Sequence, residues 1–243
     1  MLVAAAVCPH PPLLVPQAAG AAAPELDDVR AACAAAVGSL LNARPDVLAV
    51  TGGAEVFASF PDDAAGTLRP WGPDVRVGPG DPVLPLSLTI GRWLLERPHT
   101  MGPDAEVTPK PPSGLPVLRF EAVGFDASPD ECAALGGRLA GSAGRVALLV
   151  MGDGSARRTE KAPGYVHPDA VPYDGMLAAA LASGDIGRLL DLDPGEAREL
   201  WAAGRAAFQV LAGAAREVPP TTAELLYDDA PYGVGYFVAR WIW

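Results

Sequence analysis

The sequence predicts an α/β fold whose strand ends converge on a pocket, and three observations carry that prediction. Segments 6–14, 151–156 and 227–236 each pass from a short apolar run into polar or glycine-rich residues, and strand ends of an α/β sheet are where ligand-binding side chains gather. The chain opens strand, helix, strand, the order that favours a parallel pair joined by a right-handed crossover. Its 243 residues are half apolar and 19% charged, which suits one large core burying roughly 70–75% of the unfolded surface. That composition excludes a disordered or fibrous chain.

Taken in order, Leu2–Cys8 reads as a buried strand because it is a short apolar run halted by Pro9. A helix is expected to start at Pro24, with Glu25, Asp27 and Asp28 as its acidic first turn. Its apolar positions Leu26, Val29, Cys33, Val37, Leu40 and Leu41 recur at helical spacing, and Arg44-Pro45 closes it. Residues 46–51 form the next strand. The proline-rich stretch 61–85 carries a strand near 75–77, and a helix follows over 84–96. Prolines punctuate a loop over 98–116, yet elements of one alternating pattern flank it, so residues 1–243 are read as a single domain. A strand over 117–123, a helix over Pro129–Ala140 and a strongly apolar strand over 145–151 come next. The loop 153–171 is long for a compact domain, and loops of that length are usually functional or disordered. Helices are expected over 174–182 and Ile186–Leu190. Asp193 before Pro194 caps a further helix running to about residue 215. Strands over 223–227 and 235–241 finish the chain.

The 18 basic residues against 29 acidic ones give a formal charge of −11, a field that repels polyanions. Nucleic acid and anionic membrane are therefore not expected as partners. A small-molecule ligand is expected, and self-association into a homo-oligomer is left open. Arg157, Arg158 and Lys161 form a short basic cluster after the glycine-rich segment, read either as a solvated loop or as a lip that attracts a small anion. Cys8, Cys33 and Cys132 are widely spaced without a CxxC pair, so neither a zinc knuckle nor a disulfide framework is expected. With no basic region before the first apolar run and no stretch of roughly 18–20 apolar residues, the expected compartment is the cytoplasm.

His10 is the strongest single candidate for chemistry, since it follows a buried strand and prolines stiffen the turn that would aim it. A lone histidine is more often structural. Asp153, at the end of an apolar strand, is either a loop cap or a pocket carboxylate. Tyr165, Tyr173, Tyr232 and Tyr236 could supply phenol donors or aromatic walls, against a bland reading as core or rim packing. His99 and His167 lie in loops able to fold over a strand-end pocket. Gly233 and Gly235 lack the third glycine and helix start of a phosphate loop. Gly152-Asp153-Gly154-Ser155-Ala156 fails as a nucleophile elbow, because Asp153 and Arg157 stand where the G-x-S-x-G pattern needs glycines.

The three strand-end segments, in this order, resemble the class III extradiol ring-cleaving dioxygenases, the superfamily that includes the Memo-like proteins. Gly184-Asp185 and the segment 203–208 extend the resemblance over most of the chain. It implies a three-layer α/β sandwich around a mixed, largely parallel central sheet. It also implies a non-haem Fe(II) or another divalent metal held by two imidazoles and a carboxylate, with open positions for catecholate and dioxygen. His10 and Asp229 match two of those ligands, with Asp228 beside Asp229 pointing the other way. Gly53 stands where the second ligating histidine would be, and Ala156 where the acid/base histidine would be. Asp153 and His167 are then the residues expected to position substrate, with Tyr165 and Tyr232 binding it. His167-Pro168-Asp169 resembles a His-Pro-Glu-Gly stretch of relatives. Two readings follow. One is a dioxygenase-like oxidoreductase acting on a small aromatic or related compound through an altered metal site. The other is a metal-free family member with no cofactor, serving as a small-molecule-binding or protein-interaction module. A metal-independent hydrolase or isomerase reusing the pocket trails both.

Overall fold

The computed structural model describes residues 1–97 and 116–243. β1 (Leu2–Cys8) is buried along its whole length because its side chains alternate between two cores: Ala5 and Val7 enter one, Ala4, Ala6 and Cys8 the other. α1 (Pro16–Ala19) and a tight 3-10 segment lead into α2 (Asp27–Asn42). The α-helix thus starts three residues after the proline expected to begin it. Pro24 lies inside the 3-10 turn instead, while Asp27 and Asp28 do occupy the first α-turn.

The strands β2 (Val47–Ala54) and β3 (Ala58–Phe60) come next, then the two-residue pair β4 (Gly66–Thr67) and β5 (Arg76–Val77), then α3 (Leu86–Glu96). The strand expected near 75–77 is real but belongs to this separate two-stranded ribbon. After the undescribed stretch, which contains His99 and nearly all of the proline-rich loop, come β6 (Val117–Gly124), α4 (Pro129–Ala140) and β7 (Val146–Met151). A capping box joins Ser128 and Glu131 at the start of α4. The chain ends with α5 (Ala170–Ser183), α6 (Ile186–Leu190), α7 (Pro194–Glu199), α8 (Arg205–Ala215), β8 (Thr222–Asp229) and β9 (Tyr236–Ile242).

The main sheet has seven strands in the order β3-β6-β2-β7-β1-β9-β8. The inner strands β6, β2, β7 and β1 run parallel; β3 and β9 run against them at the sides, and the edge strand β8, antiparallel to β9, runs with them. Helices α2 and α3 cover one face, and α5 to α8, with α4 stacked on α8, cover the other. This is the expected three-layer sandwich. Gly136 and Gly213 let α4 and α8 meet backbone to backbone, since a Cβ at either would collide with Val210 or Ala133 main-chain atoms.

The helix expected from Asp193 to about residue 215 is two helices. Asp193 caps the first as anticipated, accepting from Glu196 N–H at 2.7 Å. The break falls at Trp201, which adopts a left-handed φ of 54°. Sequence alone reads 200–207 as helical because alanines dominate it. Tertiary structure overrides that propensity: Ser155 Oγ–H and Ala156 N–H both donate to the Leu200 carbonyl, at 2.8 and 3.2 Å.

Candidate functional site

The parallel strands deliver their C-terminal ends to one edge of the sheet. Cys8 lies level with Met151 and Met151 with Gly52. Because β9 runs antiparallel to β1, its first residue Tyr236 and its partner Asp229 arrive at the same edge. The three segments singled out in the sequence therefore do meet. Main-chain bonds stitch them together: Gly152 N–H to Cys8 O (3.0 Å), Gly154 N–H to Gly235 O (2.8 Å) and Gly235 N–H to Ser155 O (2.9 Å).

His10 and Asp153 form the buried polar centre of this edge. The His10 backbone N–H donates to Asp153 Oδ1 at 2.9 Å, and its Nδ1 lies 3.6 Å from Asp153 Oδ2. Nδ1 itself is buried without a hydrogen-bond partner among the described residues. Burial pushes the Asp153 carboxyl above its ordinary value, while the His10 ring and N–H pull it back down. Tyr236, fully buried at the start of β9, is raised mainly by burial and partly by the charge of Asp153. Its ring belongs to the α2–α3 core.

Behind this pair, Asp174 of α5 acts as a clamp. Its side chain is wholly buried and accepts from Ser155 N–H at 2.8 Å and from the Arg158 guanidinium at 2.9 Å. Gly154 and Gly235 pack so closely on its carboxylate that a Cβ at either would overlap it. This explains two of the glycines around the motif as close-approach positions. In the sequence Asp174 reads only as a helix start; its role depends on a contact across 19 residues of chain.

The other expected site residues lie elsewhere on the rim. Asp229 is exposed at the end of β8, and its Oδ1 accepts from the N–H of the next residue, Ala230, at 2.7 Å. Asp228 lies in the field of Arg158. His167 is held on the outside by Glu199, Nε2 to Oε1 at 3.2 Å, and by Asp169. Tyr165 is exposed with a left-handed φ of 59°, and Tyr232 OH donates to Glu25 at 3.0 Å. The basic cluster divides: Arg158 serves Asp174, Arg157 donates to the Glu199 carbonyl at 2.9 Å, and Lys161 is exposed.

The donors do not fit a ferrous facial triad. Such a centre needs three protein ligands on one face, and among the described residues no group of three His, Cys, Asp or Glu side chains is placed to hold a metal ion. The carboxylate in contact with His10 is Asp153 rather than Asp229. Gly53 is on the α8 face of β2, the face of Ala49 in the same core. A Cβ there would meet the Phe125 ring at 2.5 Å and the Ala203 carbonyl at 3.0 Å.

On that α8 face lies a cavity of about 420 Å³ between α7, α8 and the turn after β6. Phe125 and Trp201, 41% and 56% exposed, stand at it. Ala156, Ala202, Ala203 and Ala206 line it, and Arg198 and Arg205 border it. Both positions where the resemblance expects a missing imidazole, 53 and 156, thus border the cavity or its wall. Phe125 and Trp201 do not stand out in the sequence, because isolated aromatics in turns carry no local signal.

No protein-family model matches this chain, and no curated protein matches it. Among solved structures it is similar to an uncharacterized protein, JW3007, from Escherichia coli K12, at 14% identity and a TM-score of 0.54, covering 98% of this chain and 99% of that one. The likeness is one of fold. It extends over both chains nearly end to end, in keeping with a single sandwich built on one sheet. Among the described residues no helix is long and apolar enough to cross a membrane.

Proposed function

We propose that this protein is a metal-independent small-molecule-binding member of its fold, with its ligand site at the C-terminal edge of the parallel strands. The observation that carries this reading is the fate of the two vacated histidine positions. At 53 the space beyond the glycine is filled by Phe125 and a main-chain carbonyl, and at 156 an alanine lines an open cavity. A dioxygenase-like site would need an imidazole ligand at 53 and an acid/base imidazole at 156, and neither Gly53 nor Ala156 has one. The His10–Asp153 pair supplies a polar, partly shielded centre next to the cavity wall, since Gly204 N–H donates to the Asp153 carbonyl at 2.9 Å. Ligand sites are of this kind, mostly apolar with a few placed polar groups, in volumes of roughly 300–1,000 Å³.

One observation favours the second reading, a dioxygenase-like enzyme with an altered metal site: the buried, unpartnered Nδ1 of His10. Anaerobic Fe(II) titration followed by metal analysis of wild type and His10→Ala separates the two. The binding-protein reading expects no stoichiometric iron in either protein. One iron per wild-type chain, lost in His10→Ala, would refute it.

A further inference from the structure

We propose that the cavity on the α8 face takes a compact apolar molecule carrying a single carboxylate and no metal-chelating group; this rests on the small-molecule reading above and names the ligand's class. The apolar part of the argument is the wall. Five alanines, Pro194 and the rings of Phe125 and Trp201 line an open space large enough for a bicyclic body. Trp201 reaches the cavity from a left-handed backbone conformation, held there by the anchored Leu200 carbonyl before it and the Ala202 N–H bond to Ala197 O after it (2.8 Å). This left-handed residue after the C-cap of α7, with the bonds on either side of it, ends the helix and fixes the ring at the cavity.

The charge argument rests on Arg205. It is only 3% exposed, borders the cavity, and donates to the Phe125 and Ala127 carbonyls and to Gln209 Oε1 at 3.0 Å. Among the described residues no carboxylate lies within 4.0 Å of its guanidinium, whereas Arg198 at the same cavity is already paired with Asp126 at 2.5 Å. Buried cations are ordinarily paired. Arg205 is also the first residue of α8, an 11-residue helix without a side-chain N-cap, so the positive end of the helix dipole adds to its field at the cavity. Asp126 and Arg198, which also line the cavity, offset each other, so a buried cation with only uncharged partners is left to select a ligand that is apolar in body and singly anionic.

The test is calorimetric titration of the full chain, in EDTA, with 2-naphthoate and with the uncharged 2-naphthylmethanol. Naphthoate is expected to bind one per chain and the alcohol at least tenfold more weakly. Trp201→Ala, an exposed change that leaves the core intact, is expected to weaken naphthoate at least tenfold, and Ala156→Phe, which fills the cavity, to abolish it. Circular dichroism verifies that each variant is folded. Equal affinities for acid and alcohol, or no naphthoate binding to the wild type, would overturn the proposal. Naphthoate binding unchanged by Trp201→Ala would remove this cavity while leaving the small-molecule reading intact. Binding seen only without EDTA would sink the metal-independent reading itself.

Discussion

Asp174 offers the sharpest test of how this strand-end edge is held. In Asp174→Ala the Ser155 N–H, buried, loses its acceptor, a loss of roughly 1–3 kcal/mol. Arg158 also loses its partner, but its side chain is 22% exposed and can turn to water, so that part is worth about 1 kcal/mol at most. The sum, about 1–4 kcal/mol, corresponds to a fall in Tm of roughly 2–16 °C for a chain of this length. Asp174→Asn keeps an acceptor for Ser155 and loses only the charge toward Arg158, so its fall is expected to be a third or less of that. The pH dependence adds a sign. Burial, the largest influence, raises the Asp174 carboxyl above its ordinary value of 3.8 despite the pull of Ser155 N–H and Arg158. A carboxyl raised on folding contributes stability that is fully present below the unfolded value and is lost as pH rises through the folded one. The stability of wild type minus that of Asp174→Asn should therefore grow as pH is lowered from about 7 toward about 4. Urea melts of the three proteins across that range measure it. Equal destabilisation by Ala and Asn, or a difference that shrinks on acidification, would refute the account of the clamp.

Gly213→Ala should cost about 1–3 kcal/mol by driving a Cβ into the Ala133 main chain and parting α4 from α8, read as a lower urea midpoint; a stability within about 0.5 kcal/mol of wild type would contradict the close packing. Gly53→His should be destabilising through the Phe125 ring, and Phe125→Ala in the same chain should recover at least half of the loss, a coupling visible in a double-mutant cycle. Cys8, Cys33 and Cys132 are buried free thiols, with Cys8 raised chiefly by its contact with Cys33 and Cys132 pushed by burial up to about 11. The native protein should therefore leave all three thiols unreactive toward a disulfide reagent near pH 8, and the unfolded chain should release three.

The layers of this protein, and the edge at which its three strand-end segments gather, are legible in local sequence. Short apolar runs such as Leu2–Cys8 and 145–151 can satisfy both faces only when helices cover each side, and the residues that halt them, Pro9 and Gly152, mark where the strands stop. Capping at Asp193 and the acidic start of α2 are legible in the same way, because caps and dipoles act over a single turn. Which side chains share that edge is a matter of packing between distant segments. The carboxylate beside His10 is Asp153, 143 residues away, and neither spacing nor propensity encodes a contact across a parallel sheet. The helix break at Trp201 and the clamp at Asp174 belong to the same class, since each is imposed by a polar group of the 153–158 turn that local sequence does not contain. The cavity is further from the sequence still: it is the space left between α7, α8 and the turn after β6, and only packing fixes a void.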